Sequence, residues 1–124
     1  MPYNIPIRRY RCSGSLPAPP HVYAESTENL TICNGSAATR FLMVSLAQTI
    51  TVFIKNTGTS PIMARLQNSP DGIETVDDPQ VITVCPGETK FLVPYIFSRF
   101  IRLVIWGPNG GCAHVWFQIQ RRCS

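Results

Sequence analysis

Five clusters of turn residues cut the chain between residues 34 and 111: Asn34-Gly35, Asn56-Thr57-Gly58, Ser69-Pro70-Asp71-Gly72, Cys85-Pro86-Gly87 and Gly107-Pro108-Asn109-Gly110-Gly111. Glycine, asparagine and proline hold the tight turns that reverse an extended chain. Between the clusters apolar and polar residues alternate, and no 3.6-residue period runs long enough to compete. The spacing predicts strands near 22–33, 39–46, 49–55, 62–67, 73–76, 80–84, 89–93, 99–106 and 113–120. Short strands punctuated in this way specify an all-β fold, a single jelly roll or β-sandwich of eight or nine strands. At 124 residues there is room for one such domain with a real core.

Alternation also assigns faces. Ile50, Val52 and Ile54 point inward and leave Phe53 outward with Thr49, Thr51 and Lys55. Ile101, Leu103 and Ile105 oppose Phe100, Arg102, Val104 and Trp106, and Val115, Phe117 and Ile119 oppose His114, Trp116, Gln118 and Gln120. Phe53, Phe100, Trp106 and Trp116 are therefore expected together on a surface that something covers.

Residues 1–20 differ from the remainder. They hold Pro2, Pro6, Pro17, Pro19 and Pro20, with Arg8, Arg9, Arg11 and Cys12 among them. Proline fixes φ and removes a backbone donor, so this stretch reads as an extended N-terminal arm, a connector preceding a β-sandwich domain over 21–124. Ile5, Ile7 and Tyr10 are apolar residues that a purely solvated tail does not need. Fully extended, such an arm reaches ~65 Å.

The net charge of +4 does not describe a nucleic-acid surface. Arg8, Arg9, Arg11, Arg121 and Arg122 sit at the two ends, while the span 13–120 carries six bases and all seven acids. Basic tails on a neutral body differ from a basic stripe with interleaved aromatics, and nucleic acid is not expected as a partner. No run approaches the ~18 apolar residues of a membrane span. Met1–Tyr10 lacks the apolar centre of a signal peptide, so a Sec leader is not expected.

Little points to catalysis. There is no nucleophile elbow, HExxH or glycine-rich phosphate loop, and no cofactor is implied. His21 and His114 read as strand or surface histidines. Asp71, Glu74, Asp77 and Asp78 read as a solvated turn with a short edge strand, since their spacing is not that of a calcium loop. Asn29-Leu30-Thr31 and Asn34-Gly35-Ser36 match a glycosylation acceptor by chance. The five cysteines, Cys12, Cys33, Cys85, Cys112 and Cys123, contain no CxxC pair, which disfavours zinc and thioredoxin-type sites. Two readings stay open for them: free, partly buried thiols, or intermolecular disulfides.

An assembly reading uses the arm, the cysteines and the outward aromatics at once. An extended arm adds to an open sheet edge, a disulfide locks it, and one subunit's arm on the next is a heterologous contact that propagates. The alternative is a carbohydrate-binding or phage-surface β-sandwich module, with Trp106 and Trp116 stacking on a sugar ring.

A proline-containing, cysteine-bearing arm before a compact jelly roll resembles the endospore appendage (Ena) subunits of Bacillus-group bacteria, and Gly110-Gly111-Cys112 matches their Gly-x-Cys motif at the start of the last strand. Asn56–Ile62, Leu66–Gly72 and Pro86–Thr89 are similar to β domains of spore-forming Firmicutes over residues 49–105. The first resemblance implies a structural, non-enzymatic subunit of a disulfide-linked extracellular or spore-surface fibre. Its partner is itself, and the identity of any surface anchor protein is left open. Cys12 is then the arm thiol, with Cys112 and Cys33 as its acceptors on preceding subunits. Appendage arms commonly carry adjacent cysteines where this chain has Arg11 before a single Cys12, and Cys85 and Cys123 have no counterpart there. Independently of the resemblance, the apolar arm residues and the outward aromatics make Ile5, Ile7, Tyr10, Phe53, Phe100, Trp106 and Trp116 the candidates for a subunit interface.

Overall fold

The computed structural model describes residues 21–122. They form ten β-segments: β1 (His21–Thr31), β2 (Ser36–Ala38), β3 (Leu42–Met43), β4 (Thr49–Asn56), β5 (Ile62–Ser69), β6 (Val76–Asp77), β7 (Ile82–Val84), β8 (Thr89–Leu92), β9 (Phe100–Trp106) and β10 (Cys112–Arg122). One sheet has the order β1-β10-β4-β8. In the other, β9 and β5 pair at the centre, β2 and β3 both pair β9, and β6 and β7 both pair β5. Each of those two pairs of short segments is one interrupted edge strand. The sandwich therefore has two sheets of four strands, all antiparallel, in jelly-roll order.

The inward residues follow the alternation. Val52 and Ile54 of β4, Ile101, Leu103 and Ile105 of β9, and Val115 and Phe117 of β10 are buried between the sheets. Burying each such side chain contributes about 1.5–3 kcal/mol.

Two expected strands are broken, and both breaks come from polar side chains that bond the backbone. The strand expected over 39–46 is reduced to β3 and is preceded by a segment not expected, β2, and Thr39 carries the ladder in the gap between the two. Its N–H donates to the Leu103 carbonyl at 2.9 Å, and its hydroxyl accepts the Leu103 N–H at 2.9 Å. The strand expected over 73–76 is reduced to the two-residue β6. The chain then leaves the sheet at Asp78-Pro79, where the buried Asp78 accepts from the backbone N–H groups of Gln80 at 3.0 Å and Tyr95 at 2.7 Å. Proline at 79 has no N–H to return to the ladder. Upstream, Asp71 Oδ1 accepts from the N–H groups of Ile73 and Glu74, each at 2.8 Å. Those bonds, from Ile73 and then Glu74, hold the Asp71 carboxyl below the ordinary aspartate range.

The turn at Gly111 is set by a close approach. A Cβ there would lie 3.0 Å from Ile32 Cδ1 and 3.2 Å from the Pro108 carbonyl oxygen. Ile32 is buried and does not yield freely. Gly111→Ala is expected to destabilise the fold by about 1–3 kcal/mol, read as a lower urea midpoint at unchanged slope. A wild-type midpoint would show that Ile32 repacks without strain.

Candidate functional site

Four chain segments meet at one pole of the sandwich. β1 ends there, since Thr31 pairs Cys112, the first residue of β10. β4 ends there too: Thr57 N–H donates to the Cys112 carbonyl at 3.0 Å, and Gly87 N–H to the Asn56 carbonyl at 2.9 Å. The turn between β9 and β10 closes onto the same group, with Gly110 N–H on the Ile32 carbonyl at 2.9 Å. Cys33, Cys85 and Cys112 thus share one pole, and all three are free thiols.

Each is held differently. Cys33 precedes a two-residue hairpin in which Asn34 and Gly35 have φ of 54° and 88°, the left-handed pair of a type I′ turn. Its backbone exchanges two hydrogen bonds with Ser36, and its side chain is exposed. Cys85 is exposed at the head of a tight turn closed by Glu88 N–H to its carbonyl at 2.9 Å. Cys112 is half-buried on the outer face of the first sheet, its Sγ 3.3 Å from the Gly110 carbonyl and 3.9 Å from Thr31 Oγ1.

The fully buried Asn56 braces these turns. Its Nδ2 donates to the carbonyls of Ser60 and Val84, both at 2.8 Å, and its Oδ1 accepts Gly58 N–H at 2.8 Å. Val84 directly precedes Cys85, so this one side chain fixes the base of the Cys85 turn against the end of β4.

The opposite pole is where β1 begins and β10 ends, with His21 paired to Arg122. Ile5, Ile7, Tyr10, Cys12 and Cys123 lie outside the described residues.

The outward aromatics divide between two surfaces. Trp116, Phe53 and Phe91 stand in register across β10, β4 and β8. Phe53 and Phe91 have ring centroids 6.3 Å apart, and His114 meets Trp116 edge-on at 4.4 Å. A shallow cleft of about 260 Å³ lies among Phe53, Thr89, Trp116 and Gln118. Phe100 and Trp106 lie on the outer face of the other sheet, across the core from Trp116. The expectation of one surface holding all four is corrected. Trp106 and Trp116 do not face a common groove and cannot bracket one sugar ring. β9 and β10 are consecutive in sequence but belong to different sheets, which separates them. Phe91 was not singled out from sequence; the alternation of 89–93 was the signal for it.

The outer face of the second sheet carries a polar chain. Arg102 stacks on Phe41 at 4.6 Å and donates to Gln67 Oε1 at 2.8 Å, and Gln67 donates to Asp77 at 2.8 Å. Arg65 reaches the other Asp77 oxygen at 3.6 Å. These groups satisfy one another. Among the described residues no group of three or more His, Cys, Asp or Glu side chains could hold a metal ion. No helix among them is long and apolar enough to cross a membrane.

A family model described as a domain of unknown function (DUF6385) matches residues 43–121. No curated protein sequence matches the chain. Solved structures share the fold. A subunit of Bacillus endospore appendages, described as a novel family of disulfide-linked pili, superposes with a TM-score of 0.61 at 18% identity, over 84% of this chain and 89% of that one. PirA gives 0.55 at 18% identity, over 73% and 92%. The PBSX exported protein XepA gives 0.58 at 10% identity, over 79% of this chain but 37% of its own length.

Proposed function

The chain belongs to the DUF6385 family, and from that premise we propose that it is a non-enzymatic structural subunit. It associates with itself into an extracellular, pilus-like fibre of the spore-appendage kind, cross-linked by disulfides. The observation that carries this reading is the polarity of the sandwich. Cys33, Cys85 and Cys112 cluster at one pole, while the segment bearing Cys12 departs from His21 at the other.

The distances favour joining neighbours. The eleven residues of β1 separate the poles by ~36 Å at ~3.3 Å each. Cys12 lies nine residues before His21, a contour of ~30 Å. To meet a cysteine of its own pole, the arm would have to run back nearly straight along the whole domain. A subunit stacked end to end presents its cysteine pole directly to the departing arm. Such a contact is heterologous, and with a rotation that does not close into a ring it repeats as a filament. Each bridge joins two thiols with loss of two protons and two electrons to an external oxidant, dioxygen or a small disulfide, which suits an extracellular setting. The fold shared with a disulfide-linked pilus subunit supports the same reading.

The test is an SDS gel of the purified protein with and without reductant, beside a negative-stain grid from the same tube. A ladder that collapses to the 13.8 kDa band on reduction, together with fibres, is the expected result. A single monomer band in both lanes and a blank grid would exclude a disulfide-linked polymer.

A further inference from the structure

The pole from which the arm departs holds an unexplained cleft. β9 ends at the cysteine pole, so its first residue, Phe100, and the paired Ser69 lie at the other, as does His21. There Asn68, Ser69, Pro70 and Val76 face Ile96, Phe97 and Arg99 across an apolar cleft of about 420 Å³. Within its lining Phe97 is 73% exposed, and Ile73, three residues past the lining Pro70, is 79% exposed.

One polar atom in the cleft wall is stranded. Asn68 is 2% exposed; Ser98 Oγ donates to its Oδ1 at 3.3 Å, but its Nδ2 has no partner. A buried donor without an acceptor costs about 1–3 kcal/mol. A backbone carbonyl arriving in the cleft would remove that penalty. The chain that follows Pro70 is acidic in sequence: Asp71, Glu74, Asp77 and Asp78 lie in a stretch, 66–89, that contains no lysine or arginine, while the one charged residue lining the cleft itself is Arg99. Asp78 is spoken for by Gln80 and Tyr95, and Asp77 by Arg65 and Gln67. Asp71 Oδ1 is engaged by the N–H groups of Ile73 and Glu74, so its second carboxylate oxygen and the Glu74 carboxylate, which flank the exposed Ile73 in sequence, remain to meet a cation. Arg99, on the facing wall, stacks on Phe100 at 5.2 Å.

Such a site fits an extended segment that is apolar, basic and rich in unpaired carbonyls. The sequence Ile5-Pro6-Ile7-Arg8-Arg9-Tyr10-Arg11 supplies the apolar and basic residues for such a segment. Proline holds such a stretch extended, with its carbonyls unbonded within the segment. Ten residues separate Arg11 from His21, a reach of ~33 Å, whereas a four-stranded sheet is only ~14 Å across.

We propose that in the free subunit residues 5–11 dock in this cleft on their own domain. Ile5, Ile7 and Tyr10 cover Ile96 and Phe97, the arginines meet Asp71 and Glu74, and a backbone carbonyl accepts from Asn68 Nδ2. This contact does not rest on the fibre reading, because a chain that never polymerises can make it. A tethered segment has an effective concentration near a millimolar, so an intrinsic Kd of ~0.1 mM gives ~10-fold occupancy over the free state.

The test is amide hydrogen exchange on the full chain with reductant, at a dilution where size-exclusion chromatography gives a monomer. The amides of residues 7–11 are expected to exchange ~10-fold slower than in a free peptide of the same sequence, independent of protein concentration. Phe97→Ser, a change at an exposed side chain, and the triple variant Arg8→Ser/Arg9→Ser/Arg11→Ser should each return them to the free-peptide rate. Free-peptide rates in the unmodified chain overturn the proposal. So does protection that persists in Phe97→Ser, which would seat the arm elsewhere, or protection that rises with protein concentration, which would assign the contact to a second copy. Gel and grid results without reductant do not enter this measurement, so failure of the fibre reading is separately visible.

Discussion

Cys12→Ser protein is expected to stay folded and to lose every reductant-sensitive polymer band that depends on the arm. Cys12 is not part of the ten β-segments described, and circular dichroism and the thermal midpoint should match the parent. What changes is the junction. A native bridge is worth about 2–5 kcal/mol, and it alone resists SDS once non-covalent contacts are stripped. The mutant should therefore run as monomer on a non-reducing gel, and any fibres seen by negative stain should fall apart on heating in detergent. Removal of residues 1–15 should have the same effect and also abolish fibres in native buffer. Serine at 33, 85 or 112, one at a time, then identifies the acceptor, because only the true partner reproduces the Cys12→Ser gel. Heat- and detergent-resistant fibres of normal length from Cys12→Ser would sink the arm mechanism while leaving other cysteine pairings to be mapped.

Asn56→Ala should be among the most damaging single changes in the domain. It deletes three hydrogen bonds and strands the buried Val84 carbonyl together with the half-buried Ser60 carbonyl and Gly58 N–H. Orphaned buried groups make this loss larger than the sum of ordinary bonds, about 3 kcal/mol in total. For a domain of this size that lowers the thermal midpoint by roughly 10 °C. Asn56→Asp keeps the acceptor for Gly58 but turns both donors into an oxygen facing two carbonyls. It should be at least as destabilising, most severely at neutral pH, where the carboxylate is charged. A midpoint within a few degrees of the parent for both variants would mean that water or a shifted turn replaces the brace. The same variants should loosen the Cys85 turn, which alkylation of that thiol by a maleimide would report as faster labelling.

The jelly roll was legible because β4, β9 and β10 alternate cleanly and their turns carry unambiguous residues. The interruptions were not. Thr39 reads as an ordinary strand residue, and only the position of Leu103, 64 residues away, shows its hydroxyl taking a ladder bond. Asn56 has the same character: it looked like a turn residue, yet its farthest partner is Val84, 28 residues on. Local pattern reports which way a side chain points; it does not report which sheet its strand joins. That is why the outward aromatics were each read outward but were wrongly pooled into one surface. The gathering of Cys33, Cys85 and Cys112 at one pole is likewise a product of topology, since 52 residues separate the first two.

The pairing of β1 with β10 also decides how the subunit bears load. In a fibre joined as proposed, tension enters at His21 and leaves through Cys33 or Cys112 at the far pole. If it leaves through Cys33, it runs along β1, a strand already near its full contour length, and the rest of the domain carries almost none of it. If it leaves through Cys112, it pulls β1 and β10 lengthwise past each other, so the eleven register pairs resist together instead of peeling one by one. Either exit makes β1 a tie rod, loaded alone in the first case and in the second yielding only when all eleven of its pairs with β10 break together.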